Sequence, residues 1–175
     1  IFCASNMNDV LTRFIASGSL EPKETMPTVA PSMDIQIPSS LERLIYDLEG
    51  DTSSFYNQLQ NEKVATLSED ATKKLQSIFS SKSFDDEMIL REIKDFNKNY
   101  DWIVDPHTAT AVSKKVTFGS NLPVVGVATA SPEKFSNVIS SVISSFSVKN
   151  SENTEDYIVC RSDSSTVENT IKEYF

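Results

Sequence analysis

The stretch that most constrains the fold lies at residues 123–146 (PVVGVATASPEKFSNVISSVISSF). It opens with an apolar run at residues 124–128, continues through two hydroxyl residues, Thr129 and Ser131, and reaches Pro132 at the start of a helical pattern. That pattern has apolar residues on one helix face: Phe135, Val138, Ile139, Val142, Ile143 and Phe146. We therefore predict a buried strand, a hydroxyl-bearing corner and an amphipathic helix, the arrangement in which α/β enzymes place ligand contacts.

The composition is typical of one globular domain. The chain has 175 residues, of which 39% are hydrophobic and 23% charged. It contains no uninterrupted apolar run of transmembrane length, so we expect no membrane span. The net charge of −9 argues against nucleic acid as a partner, because phosphate binding needs a basic surface. Two cysteines, Cys3 and Cys160, do not make a disulfide scaffold, and we expect buried free thiols in a cytoplasmic protein.

Strand and helix patterns alternate at both ends of the chain, with a helical block between them. We predict strands at residues 1–4, 101–104, 124–128 and 157–160, and helices at residues 9–17, 39–50, 53–61, 68–80, 84–97, from 106, at 132–146 and at 165–174. The predicted helix caps are Asn8, Ser39, Ser68, Ser83, Asp105, Ser131 and Ser165. Residues 19–38 contain four prolines and are predicted to be an extended loop. This alternation favours an α/β fold with a mostly parallel sheet.

Four strands make a small sheet, so we expect part of it to lie outside this sequence. The chain also begins at Ile1 with no initiator Met and no signal-peptide pattern, which indicates a fragment or a processed product. We divide it into an α/β segment at residues 1–51, a helical insertion at residues 52–99 and an α/β segment at residues 100–175. Together these form one fragmentary domain.

His107 is the only histidine, which excludes a multi-histidine metal site within this sequence and leaves one imidazole for acid–base chemistry. It lies at a predicted helix start, where a packing or capping role is the alternative, and the one we favour on the residue alone. Ser131 is explained as a helix cap. Thr129 is either a filler at a strand end or a ligand contact.

Asn6, Asn8, Asp9 and Arg13 form a second polar group, after the first predicted strand. Arg13 is suited to a ligand carboxylate or phosphate, and an ion pair with Asp9 at i, i+4 is an equally good alternative. Asp34, after the proline-rich loop, is interpreted as a turn residue. The sequence has no glycine-rich phosphate loop and no Ser–His–Asp pattern.

Four motifs in order resemble the C-terminal part of threonine synthase, a pyridoxal-phosphate enzyme family. Residues 4–9 (ASNMND) with Arg13-Phe14 resemble the family's TNxND…RF segment. Residues 31–35 (PSMDI), followed by LERL at 41–44, are similar to its PAMDI…FERL loop. Residues 105–109 (DPHTA) match its DPHTA, and residues 127–135 (VATASPEKF) are similar to its STAHPAKF.

This resemblance implies a tryptophan synthase β-like fold, present in part, and the cofactor pyridoxal 5′-phosphate. It implies that the complete enzyme converts O-phospho-L-homoserine and water to L-threonine and phosphate. Thr129 matches the family's hydroxyl residue that hydrogen-bonds the pyridine nitrogen, a partner that does not force pyridine protonation as a carboxylate would. The resemblance also places Asn6, Asn8, Arg13, Asp105 and His107 near the site.

Two departures accompany the resemblance. Ser131 occupies the position of the family's histidine in STAHPAKF. The family's Schiff-base lysine and phosphate loop precede the part that this sequence matches, so we expect this chain to contain no catalytic residue of its own and to act with a missing N-terminal portion of the same protein. The alternative function is a non-catalytic α/β interaction or regulatory module derived from such an enzyme.

Overall fold

The computed structural model describes residues 1–113, 124–148, 161 and 163–174. Within them the strands are β1 (Phe2–Ser5), β2 (Ser19–Leu20), β3 (Ala65–Thr66) and β4 (Ser80–Ser83). The α-helices are α1 (Val10–Ser17), α2 (Leu41–Glu49), α3 (Ser53–Glu62), α4 (Glu69–Ile78), α5 (Asp86–Tyr100), α6 (Pro106–Ala111), α7 (Ser136–Val142) and α8 (Ser164–Tyr174). Two 3-10 turns lie at Pro31–Met33 and Pro132–Phe135.

The strands form two small sheets. β1 pairs in parallel with β4, from Phe2 opposite Ser80 to Ser5 opposite Ser83. β2 pairs antiparallel with β3. The α/β class with parallel pairing and flanking helices is therefore confirmed. None of the described helices is both long and apolar enough to cross a membrane.

Two predicted strands are wrong. Residues 101–104 are not a strand, because Asp101 ends α5 in a left-handed conformation (φ 52°) and the chain turns there. Residues 124–128 are also irregular and exposed, with Val125 85% accessible. A strand needs a partner for its backbone groups, and no described strand lies beside either segment. The strand predicted at residues 157–160, and Cys160 with it, lies outside the described residues.

The parallel partner of β1 was instead missed. β4 (SSKS) lies inside the block predicted to be a helical insertion, as does β3. Its sequence is polar and only partly buried, so it carries no apolar alternation that would predict a strand. The division of the chain into three segments remains a prediction.

Helix α1 shows why the chain turns where it does. Its apolar stripe, Val10, Phe14 and Ile15, is buried, and Gly18 ends it with φ 76°, directly after the predicted range 9–17. A side chain at Gly18 would also collide with the hydroxyl of Thr72, so the position requires glycine for conformation and for space. Asn8 does not cap this helix, since its side chain bonds to the proline-rich loop.

The helices of the middle of the chain lie within a few residues of their predicted ranges. Ser68 caps α4 as predicted, with its hydroxyl accepting from the Ala71 N–H at 3.2 Å. Ser83 does not cap α5, because Asp85 does so. Ser39 does not cap α2, which begins after Ser40 without a side-chain cap. The last helix begins at Ser164, before the predicted cap Ser165, with the Asp163 carboxylate accepting from the Thr166 N–H.

Two apolar clusters make the core. The first joins α1 to α4 and includes the fully buried Phe14, Ile45 and Leu75. The second gathers α5, α6 and α7 around Ile89, Ile93 and Ile139. Burying each such side chain contributes about 1.5–3 kcal/mol.

The helix predicted at residues 132–146 is shorter than expected, since a 3-10 turn precedes α7 and α7 ends at Val142. Its apolar stripe nevertheless faces the second cluster, with Ile139 and Ile143 buried. The thiol of Cys3, on β1, is free and half-buried, and burial raises its pKa despite the lowering effect of the N-terminal charge.

Candidate functional site

Thr129 lies in the irregular segment at residues 124–131, which packs against α6. Its backbone N–H donates to the Thr108 hydroxyl at 3.4 Å. Three residues earlier, a Cβ on Gly126 would lie 3.0 Å from Val112 Cγ1. Thr108 and Val112 are four residues apart and therefore lie on the same side of α6 and its C-terminal end. Because Gly126 lies beside Val112 and Thr129 beside Thr108, the segment runs antiparallel to the helix. The Thr129 side chain is exposed, and its hydroxyl makes no hydrogen bond to any described residue.

Asp105 organises the first turn of α6. It is only 1% exposed and accepts from the His107 N–H at 2.9 Å, the Thr108 N–H at 3.4 Å and the Thr108 hydroxyl. Pro106 follows it at the first helical position, where the missing N–H costs nothing. Burial alone raises the pKa of Asp105, but the hydrogen bonds from His107 and Thr108 outweigh it and lower the pKa below its usual value.

His107 uses both ring nitrogens inside the protein. Nδ1 lies 2.8 Å from the Asp105 carboxylate, and Nε2 accepts from the Ser32 backbone N–H at 3.1 Å. Nδ1 therefore carries the proton in the neutral ring. The ring also packs against Phe135, with centroids 4.8 Å apart. In this arrangement the imidazole ties α6 to the proline-rich loop, and neither nitrogen is free for acid–base chemistry.

Asn6 and Asn8 meet Asp34 at the carboxyl end of β1. The Asp34 carboxylate accepts from the Asn6 amide at 2.6 Å, the Asn8 amide at 3.0 Å and the Thr28 hydroxyl at 2.8 Å. Asn8 also binds the backbone of Met26 on both sides, as donor at 2.8 Å and acceptor at 2.8 Å. Asp34, interpreted from the sequence as a turn residue, is the centre of this group. We call these residues the loop knot, because they fasten the proline-rich loop to β1.

Arg13 is not part of the loop knot. Its guanidinium donates to the Asp9 carboxylate at 2.9 Å and to the Glu21 carbonyl at 2.8 Å. This is the i, i+4 ion pair that the sequence left as an alternative to a ligand contact. Ser131 is the cap of the turn at Pro132–Phe135, with its hydroxyl accepting from the Glu133 N–H at 3.3 Å.

The structure thus brings the predicted residues into two connected groups. Asn6 and Asn8 belong to the loop knot, and Asp105, His107 and Thr129 belong to a cluster on α6. The Ser32–His107 hydrogen bond joins the two. Sequence reasoning missed Ser32, Thr108 and Asp34 as members, although each lies inside one of the quoted motifs.

The larger cavities lie away from these groups. One of about 630 Å³ is lined by Arg43 and Tyr46 on α2, and another of about 270 Å³ lies between α3 and Ser68. A small one of about 80 Å³ lies beside the end of β1, lined by Asn8 and Ser32 among mostly apolar neighbours. We take the hydrogen-bonded cluster as the candidate site, because cavity size alone carries no chemistry.

Comparison with known proteins shows what the chain resembles. No protein-family model matches it. Threonine synthase of Pseudomonas aeruginosa is 30% identical over 146 residues, which cover 79% of this chain and 31% of that protein. Threonine synthase of Corynebacterium glutamicum is 31% identical over 151 residues, again 79% of this chain and 31% of the relative.

Solved structures agree. The chain superposes on pyridoxal-phosphate-bound threonine synthase from Brucella melitensis with a TM-score of 0.74 and 30% identity, over 81% of this chain and 32% of that one. The yeast threonine synthase gives a TM-score of 0.72 at 25% identity, covering 86% of this chain and 34% of that one. The chain therefore spans about a third of the length of the relatives it matches. The resemblance to threonine synthase, its fold and the family's cofactor, pyridoxal phosphate, are confirmed.

Proposed function

We propose that this chain is the C-terminal part of a threonine synthase, which converts O-phospho-L-homoserine and water to L-threonine and phosphate. The observation that carries the proposal is the combined match in sequence and fold to threonine synthases over about four fifths of the chain. The Schiff-base lysine belongs to a preceding part of the protein, and we place the enzyme in the cytoplasm.

Thr129 is the residue we assign to the cofactor. Its hydroxyl is exposed and has no partner among the described residues, so it is available to a ligand, while its backbone is held by Thr108. A hydroxyl can donate a hydrogen bond to a pyridine nitrogen without supplying the charge that would fix a proton there. These properties fit pyridoxal phosphate, which when bound serves as an electron sink for the amino-acid substrate.

The other predicted residues have supporting roles in this proposal. Asp105 and His107 hold the first turn of α6 in place and fasten it to the loop at Ser32. Asn6 and Asn8 hold the same loop through Asp34, two residues after Ser32. We propose that these residues position Thr129 and the loop near the cofactor.

The test is a cofactor titration of the full-length protein with a Thr129→Val variant. Losing one hydrogen bond to the ring is expected to weaken pyridoxal-phosphate binding about tenfold and to alter the visible absorbance of the bound cofactor. Thr66→Val is the matched control, because Thr66, on β3, is also an exposed threonine, and its hydroxyl bonds to the Ser19 hydroxyl, away from the candidate site. Wild-type affinity and spectrum in Thr129→Val would refute the assignment.

A full-length protein that binds no cofactor at all would instead favour the interaction or regulatory module. Ser131, which caps a turn here, stands where the family has histidine, and that result would direct attention to this difference.

A further inference from the structure

We infer that Thr108 is a positioning residue for Thr129, acting through the Thr129 backbone rather than by touching a ligand. The inference rests on the proposed function for its consequence at the cofactor, but the contact itself lies within this chain. Thr129 belongs to a segment that has no helical or strand hydrogen bonds of its own, so its position depends on the element against which the segment packs. The structure shows that support to be α6.

Two hydrogen bonds fix the orientation of the Thr108 hydroxyl. It donates a hydrogen bond to the buried carboxylate of Asp105, and its oxygen lone pairs then accept a hydrogen bond from the Thr129 N–H. Donation to a charged acceptor polarises the hydroxyl and makes its oxygen a better acceptor. Thr108 is itself only 3% exposed, so its rotamer is fixed by packing as well as by Asp105.

A second contact fixes the direction of the segment. Gly126 approaches Val112 so closely that even a methyl group there would press on Val112 Cγ1 at 3.0 Å. Two contacts, three residues apart in the segment, determine both the position and the heading of residues 126–129. These contacts fix the backbone at Thr129 against α6, and the Thr129 hydroxyl remains exposed.

The neighbouring Thr110 provides a matched control. It is on the same helix and is 1% exposed, and its hydroxyl donates to the His107 carbonyl at 2.8 Å within the helix. Thr108→Val and Thr110→Val therefore each remove one buried hydroxyl, and of these two the hydroxyl that accepts the Thr129 N–H is that of Thr108. Thr108→Ser keeps the hydroxyl and reports on the loss of a methyl group alone.

The test is amide hydrogen exchange at Thr129, followed by NMR in the full-length protein without cofactor. Thr108→Val is expected to speed exchange at the Thr129 amide about fivefold, while Thr110→Val and Thr108→Ser leave it near the wild-type rate. Equal Thr129 exchange rates in Thr108→Val and wild type would overturn the inference. If Thr108→Val does not fold, unchanged exchange in Thr108→Ser together with faster exchange in Thr108→Ala supports it, and equal rates in both overturn it.

Cofactor titration of the same variants separates this inference from the proposed function. Weaker pyridoxal-phosphate binding in both Thr129→Val and Thr108→Val, by about threefold or more in the latter, supports both. Weaker binding in Thr129→Val alone upholds the cofactor contact and overturns the positioning role. If Thr129→Val binds normally, the cofactor contact fails, and the exchange measurement alone decides the role of Thr108.

Discussion

Replacing Asp105 with asparagine probes the cluster that supports Thr129. The carboxylate accepts hydrogen bonds from two groups of His107 and two of Thr108, in a position that is 1% exposed. Asparagine caps helices as well as aspartate does, so the cap survives. It has only one oxygen and no charge, so one charge-assisted bond is lost inside the protein. Such bonds contribute about 1.5–3 kcal/mol, and we expect Asp105→Asn to lower the free energy of unfolding by about 2 kcal/mol.

The pH dependence of this effect has a definite sign. Hydrogen bonds lower the folded-state pKa of Asp105 below the usual 3.8, despite its burial. A lowered folded-state pKa means that the carboxylate stabilises the fold at pH values above the unfolded pKa, and that this contribution disappears as the pH falls through the folded pKa. The difference between wild type and Asp105→Asn should therefore be full at neutral pH and should shrink as the pH falls below the usual carboxyl pKa of 3.8 and through the lower folded-state pKa.

Urea unfolding followed by far-ultraviolet circular dichroism measures this difference. Asp85→Asn is the matched control, because Asp85 is exposed and also caps a helix, but among the described residues its carboxylate accepts only from the Met88 N–H, at 2.7 Å. We expect that control to stay within about 0.5 kcal/mol of wild type. The reasoning would be refuted by Asp105→Asn matching the control at neutral pH, or by a difference that grows on acidification.

Two further predictions concern the frame around the site. Gly18→Ala should lower the free energy of unfolding by about 2–4 kcal/mol, because it combines left-handed backbone strain with a collision against Thr72. Gly50→Ala, where φ is 77° and the surrounding space is open, should lower it by only about 1 kcal/mol. Equal losses of stability in thermal unfolding would contradict the role of packing at Gly18. Asp34→Ala should release the proline-rich loop and speed its proteolytic cleavage about tenfold, while Glu24→Ala, an exposed residue of the same loop, should not. Equal cleavage rates, measured by mass spectrometry, would show that the loop knot does not hold the loop.

Local patterns predicted the elements whose formation is local. The helix predicted at residues 84–97 and the one predicted to start after the Asp105 cap depend on residues a few positions apart, and both are present, as α5 and α6. Gly18 likewise marks the end of α1 through its own backbone freedom. For such elements the sequence contains the relevant interactions within one or two turns.

Pairing between distant residues was not predictable in the same way. β4 (SSKS) is a strand because it lies beside β1, 78 positions away at Phe2 and Ser80, and nothing in its own sequence marks it. The valine-rich residues 124–128 have strand propensity but no strand beside them among the described residues, so they lie irregularly on α6. Strand formation depends on a partner that propensity does not supply.

The residues of the site also divide into those predictable from local sequence and those whose role depends on distant partners. Thr129 and His107 were identified from motifs and from rarity, but the role of His107 depends on Ser32, 75 positions away, whose N–H occupies the second ring nitrogen. Thr108 was overlooked, because a threonine inside a short helix looks like filler until its partner, 21 positions later, is known. Asp34 was interpreted as a turn residue for the same reason, since two of its three side-chain donors, Asn6 and Asn8, lie before α1 and outside the loop.

Turnover by the full-length protein tests most directly whether this chain forms part of a threonine synthase. The full-length protein, supplied with pyridoxal phosphate and O-phospho-L-homoserine, is assayed for phosphate and for threonine in the same samples. We predict that both products appear in equal amounts, that omitting the cofactor abolishes them, and that Thr129→Val slows their formation while Thr66→Val does not. A cofactor-loaded protein that forms neither product from this substrate would contradict the account.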